Sequence, residues 1–196
     1  MQLPIDAILA RIKATAPRDP FLAVRQRTDA HRRTHGCGAY TYDKAPSLLA
    51  LAEALAAARI LELGTALGYT SLSLAAGSPR ALVHTIEGNR EHVLLARQEI
   101  QRADCDPRIR VYEGDFLAVL PGLSPSYDLV FFDGFAPDSA VYRHIDRLLA
   151  PRGVLVSGNL TLAGGEGYHT QIHDPRQWHT RALDISGETA ISMRAT

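Results

Sequence analysis

Cysteine is too scarce in this sequence to hold the chain together. Cys37 and Cys105 are the two thiols in 196 residues, far apart and with no C-x-x-C pair. That argues against a disulfide framework and a thiolate metal site, and fits a reducing, cytoplasmic setting. Net charge is missing as well: 21 Lys and Arg balance 21 Asp and Glu. No sequence-wide field therefore recruits nucleic acid or an anionic membrane. One locally basic stretch, RQRTDAHRRTH (25–35), reads as a solvated helix face or loop. Long uncharged apolar runs are absent too. The opening MQLPIDAILARIKATAP carries Asp6 and Arg11 within its apolar stretch, so it reads as a short amphipathic helix, neither a signal peptide nor a membrane span. With no internal repeat and no low-complexity tract, residues 1–196 are expected to form one domain.

Beyond residue 45, short apolar runs alternate with helix-forming stretches. SLLALAEALAAA (47–58) is rich in strong helix formers and apolar enough to be buried against a sheet. Strands are predicted over 59–63, 81–87, 109–114, 127–134 and 153–159. Helices are predicted over 69–76, 90–103, 116–120 and 139–149, the last ending before Pro151 and Gly153. This alternation implies βαβ units with right-handed crossovers. RALDIS and TAISMR, flanking Gly187 and Glu188, read as an antiparallel hairpin at the sheet edge. The expected fold is thus α/β: a Rossmann-like, doubly wound sheet of seven strands, mostly parallel with a C-terminal antiparallel hairpin, and helices on both faces.

The most informative stretch is RILELGTALGYTSLSLA (59–75). Gly64 lets the backbone pass close beneath a ligand, and Gly68 opens a helix whose free N–H groups can donate to it. A dinucleotide fingerprint, G-x-G-x-x-G, needs its middle glycine against the pyrophosphate. Ala66 holds that position here and Tyr69 the last, so a pyrophosphate is disfavoured. Glu87 ends the second strand about 20 residues after Gly64, where a carboxylate can accept from both ribose hydroxyls. Any adenosine-containing ligand satisfies that geometry, so Glu87 alone separates neither a nicotinamide dinucleotide nor a nucleoside-sulfonium.

The ordered set 42–75, TIEGN (85–89), YEGDFLAVLPGL (112–123), YDLVFFDG (127–134) and ETAISMR (188–194) resembles the class I S-adenosylmethionine-dependent methyltransferases. Within them it is similar to the catechol and caffeoyl-CoA O-methyltransferases and their bacterial relatives, from about residue 38 to the end. The resemblance implies S-adenosyl-L-methionine as cofactor, a small-molecule hydroxyl acceptor and a homodimer, to which the apolar N-terminal stretches could contribute an interface. It also implies that residues 1–45 form an N-terminal helical segment near the acceptor site. Gly64, Thr65 and Ala66 would face the methionine part, with Glu62 and Gly68 flanking and Tyr69 and Thr70 near its carboxylate. Glu87 would hold the ribose, with Gly88 beside the adenine. Gly114, Asp115 and Phe116 would line the adenine pocket, and Tyr40 and Thr41 would cover the cofactor. Asp133 and Asn159 are the catalytic candidates, with Asp133 also beside the sulfonium.

The chain departs from the family's pattern at two positions. Metal-dependent members hold a divalent ion with an aspartate after the fourth strand and an Asp-Asn pair after the fifth. Asp133 and Asn159 are present, but Gly158 stands where the second aspartate belongs, and Ala136 where a lysine is expected. A divalent metal is therefore expected to be absent or weakly bound. Asp138 has no spacing that would make it a substitute. Two other functions stay open: a cofactor-binding pseudo-enzyme or regulatory domain, and an NAD-dependent oxidoreductase. His31 and His35 are weak candidate bases, and His169, His173 and His179 are expected in a solvent-exposed loop broken by glycine and proline.

Overall fold

A computed structural model describes residues 3–15, 17–134, 138–161 and 166–195; Ala136 and the stretch 162–165 lie outside them. The core strands are β1 (Arg59–Leu63), β2 (Leu82–Glu87), β3 (Ile109–Glu113), β4 (Tyr127–Phe132) and β5 (Leu149–Ser157). They run parallel in the order β3-β2-β1-β4-β5. β6 (Trp178–Ala182) and β7 (Ala190–Arg194) complete the seven-stranded sheet, with β7 inserted antiparallel between β5 and β6.

Alternation along each strand decides which layer each side chain joins. Ile60, Leu129, Phe131, Val154 and Val156 point into one core, with helices α1 (Ile5–Ala14), α3 (Ala45–Leu55), α4 (Tyr69–Gly77) and α5 (Arg90–Arg102). Leu61, Leu63, Val130, Phe132 and Leu155 point into the other, with α7 (Ser139–Leu148) and α8 (Glu166–Ile172). The strands are apolar on both faces because helices cover both. Strand order reverses around β1, so the carboxyl ends of β1 and β4 diverge and leave a crevice at the switch point.

Local sequence sets the helix starts. Asn89 accepts from the amides of Glu91 and His92, Asp115 from Leu117 at α6 (Phe116–Val119), and Asp138 from Ala140 and Val141. These are side-chain N-caps. Asp138 is thereby fixed at the start of α7.

Two expectations need correction and one is narrowed. Of its two readings, the basic stretch 25–35 is the solvated helix face and not the loop: it belongs to α2 (Leu22–His35), which buries Val24 and Thr28. Arg27 forks onto buried Glu99 of α5, at 2.8 and 2.5 Å. The bidentate pair ties α2 down. The histidine segment is not simply loop: Tyr168 and Ile172 are buried anchors of α8, and an apolar face outweighs the helix-breaking glycines. Finally, β6 begins at Trp178 rather than Arg181, so residues 183–189 connect the hairpin in place of a two-residue turn. Trp178, 2% exposed, sets that register by packing into the core and donating its indole N–H to the Tyr142 hydroxyl at 3.0 Å.

Candidate functional site

A cavity of about 630 Å³ opens above the carboxyl ends of β1, β2 and β4. Its lining includes Gly64, Ala66, Glu87, Asp133, Asn159, Tyr40 and Thr41, which brings the strand-end residues singled out in the sequence together with the segment leading into α3. A groove of similar size runs past Leu82, Pro107 and Ile109. It lies at the amino ends of β2 and β3, the opposite end from ligand sites in open parallel sheets.

The glycine turn is built for close approach. Gly64 has φ 100°, and a Cβ there would project into open space, meeting no atom within 4 Å. Gly68, at φ 90°, caps the start of α4. Ala66 also sits at positive φ, 45°, a conformation costly for a residue with a Cβ. Glu87 secures the turn: Oε2 accepts from the amides of Thr65 (3.2 Å) and Ala66 (2.8 Å), and Oε1 from Asn89 (2.9 Å). Glu87 thus organises the loop as well as facing the cavity.

Beneath the turn, Glu62 is fully buried. Its Oε2 accepts from the hydroxyls of Ser71 and Thr85, while Oε1 has no partner. Burial pushes its carboxyl up to about 8, and the nearby charges of Asp133 and Glu87 add to the rise. Burial likewise pushes Asp133 up to about 7, against the lowering effect of its bond from Asn159. Three carboxyl groups therefore gather where the strand order reverses, Glu62 largely protonated at neutral pH and Asp133 divided between its two forms. These acids suit a cationic ligand, which favours their ionised forms, better than a pyrophosphate.

The other sequence-derived residues fall into two groups. Thr65, Tyr69 and Thr70 are buried under the turn: the Thr65 hydroxyl lies 2.5 Å from that of Thr85, and the Tyr69 hydroxyl donates to Asp19 at 2.9 Å. The start of α4 thus has its phenol engaged by Asp19. Gly88, Gly114, Asp115 and Phe116 sit beyond β2 and β3, outside the cavity lining. Gly114 donates its amide to the Glu87 carbonyl, which joins the two loops.

Tyr42, Asp43, Lys44, Glu188 and Thr189 also line the cavity and were assigned no role from sequence. The Tyr42 and Thr189 hydroxyls meet at 2.9 Å, and Lys44 pairs with Asp184 and Glu188, each at 3.2 Å. The only signal for them was their place inside matching stretches, since the contacts span more than a hundred residues. His31, His35, His169, His173 and His179 do not line the cavity.

The residues after β4 and β5 do not fit a hard divalent cation. Asn159 directs its Nδ2 at the Asp133 carbonyl oxygen (3.0 Å) and carboxylate Oδ1 (3.3 Å). A carbonyl can only accept, so the amide donor, not its oxygen, faces Asp133. A Cβ on Gly158 would stand 3.0 Å from Asp133 Oδ1, so this position adjoins Asp133 as the ligand set requires, but glycine brings it no carboxylate. Hard cations prefer several oxygen ligands.

A family model described as a methyltransferase domain matches residues 61–160, just over half of the chain. A catechol O-methyltransferase of Mycobacterium tuberculosis is 38% identical over 121 residues, 60% of this chain and 55% of that protein. The match thus spans about half of that relative's length. A catechol O-methyltransferase of Niastella koreensis is 29% identical over 148 residues, covering 72% and 67% respectively. Among solved structures, the O-methyltransferase TomG of Streptomyces achromogenes, in complex with SAM and involved in tomaymycin synthesis, superposes with a TM-score of 0.79. It shares 20% identity over 97% of this chain and 96% of that one, a likeness of fold. Fold, glycine turn, acidic strand ends and relatives agree: the chain belongs to the class I S-adenosylmethionine-dependent methyltransferases.

Proposed function

We propose that this protein binds S-adenosylmethionine across the ends of β1, β2 and β4 and methylates a hydroxyl of a small molecule without help from a divalent cation. The observation that carries this reading is the open glycine turn flanked in the cavity by Glu87 and Asp133, with Glu62 buried beneath it. When bound, S-adenosylmethionine supplies a methyl group already activated by its sulfonium. The chain's part is to align the acceptor oxygen and to take its proton. Asp133, held near neutrality by burial and oriented by Asn159, is placed to accept that proton as the oxygen–carbon bond forms. Glu87 would hold the ribose and the open space over Gly64 the methionine part.

Calorimetry with S-adenosylhomocysteine and with NAD tests the cofactor: binding of the first and not the second is expected, and the reverse overturns the reading. Turnover of catechols and phenols in excess chelator tests the chemistry. Activity abolished by chelator and restored by magnesium would refute the metal-free route, and no turnover on any acceptor would favour a cofactor-binding pseudo-enzyme. A homodimer in a cytoplasmic setting is part of the proposal. Its interface is not the apolar face of α1, because Ile5, Ile8, Leu9 and Ile12 already pack into the chain's own core. Light scattering that shows only monomer at micromolar concentration would dispose of the dimer.

A further inference from the structure

Three side chains that take no part in the methyl-transfer site converge where α2 meets α5. His31 lies in the last turns of α2, and His92 in the first turn of α5. Gly36, the C-cap of α2 at φ 61°, reverses the chain and delivers Cys37 back toward both. One ligand atom from each of His31, Cys37 and His92 lies within 4.8 Å of the other two. Both imidazoles carry a nitrogen with no protein partner: His31 Nε2 and His92 Nε2 are buried without a hydrogen bond. The His92 side chain is only 6% exposed. A buried imidazole nitrogen with no partner is costly, and two of them beside a thiol call for an occupant.

We propose that His31, Cys37 and His92 bind one divalent transition-metal ion of the zinc type, separate from the strand-end carboxylates. Two imidazoles and a thiolate suit a borderline-soft, tetrahedral ion and not magnesium or calcium. Ligand atoms of a tetrahedral zinc site lie about 3.3–3.8 Å apart, so the three must close by roughly 1 Å. Cys37 supplies its sulfur as thiolate, its proton passing to solvent on binding. His35 and Glu91, both exposed, form a second set with His31, and the fourth position of the proposed site is left to water. His92 Nδ1 lies 3.8 Å from Glu87 Oε1. Ligation through Nε2 leaves the proton on Nδ1, facing that carboxylate, as behind many zinc-bound histidines. The ion would clamp the end of α2, and with it the segment that runs on to Tyr40 and Thr41 at the cavity, onto α5.

The test uses purified full-length protein, stripped with chelator and titrated with cobalt(II) as the spectroscopic probe. One equivalent should bind with a thiolate-to-cobalt charge-transfer band that zinc abolishes, and zinc should raise the melting temperature. Cys37→Ser should lose the band, and His92→Gln should weaken binding at least about tenfold. Should these variants misfold, the unmodified protein still decides: saturating zinc must protect Cys37 from alkylation, read by mass spectrometry. A missing band, a band that survives in Cys37→Ser, or a Cys37 alkylated as fast with zinc as without overturns the proposal.

Discussion

Glu87 and Asp133 are the residues on which the chemistry turns. Glu87 accepts three backbone amides and still faces the cavity. Glu87→Ala should therefore weaken S-adenosylhomocysteine binding by about 1.5–3 kcal/mol, as for hydrogen bonds to a charged group. Calorimetry reads this directly, and unchanged affinity would make Glu87 purely a loop support. For Asp133 the prediction is a pH profile. Its carboxyl is lifted to about 7, so the ionised, proton-accepting form grows as pH rises through that value. The ratio kcat/KM should climb through about pH 7 and level off above it. Asp133→Asn should remove that limb and lower the rate by roughly 10²–10⁴-fold. A profile unchanged by the substitution would reassign the base.

Between elements, the contact of α3 with α4 is the tightest backbone approach that a glycine marks among the described residues. A Cβ at Gly77 would stand 2.1 Å from the Leu49 carbonyl oxygen and 3.0 Å from the Ala52 Cβ. The chain must part there to admit a methyl group. Gly77→Ala should cost roughly 1–3 kcal/mol, as overpacked sites do, and a chemical denaturation midpoint equal to the parent's would contradict that. The nearby α2 shows why element type is easier to read than element role. Its helix signal is modest, and its placement depends on Arg27 finding Glu99, 72 residues away. Similarly, α8 is fixed by Tyr168, whose hydroxyl meets that of Ser157 at 2.5 Å under the sheet, a partner that no local pattern announces.

For the molecule as a whole, the buried acids make stability depend on pH in an unusual direction. Glu62 and Asp133 have folded-state values raised above their ordinary ones, to about 8 and about 7, so the folded chain holds protons that the unfolded chain releases. Their contribution is fully present below the ordinary carboxylate range, about pH 4, and is lost as pH rises to about 8. Asp184 is shifted the other way, lowered by its bonds from Ser186 and Lys44 against desolvation, and acts only below that window. Burial lowers His31 and His84, which opposes that decline at about pH 6.5, so the contribution of the acid is read as a difference. The melting temperature of the parent minus that of Glu62→Gln should fall between about pH 5 and 8, and a difference that stays level or rises through that interval would refute it.

The order of strands and helices, the glycine turn and the partnership of Gly64 with Glu87 were legible in the sequence because each rests on local rules. Apolar period, turn chemistry and the fixed reach of a βα unit are properties of neighbouring residues. The departure at Gly158 was legible for the same reason, since a missing carboxylate is missing in any fold. The sequence could not place β6, which waits on Trp178 reaching Tyr142, nor show that Tyr42 and Thr189 close one side of the cavity. It could not raise Asp133 to near neutrality, because desolvation is a property of what surrounds a group. Nor could it bring Cys37 between two unpartnered histidines, since that meeting exists only once α2 is docked on α5. Local chemistry determined which elements form and what the turn excludes; packing between distant segments decided which polar groups were left buried, paired or waiting for a ligand.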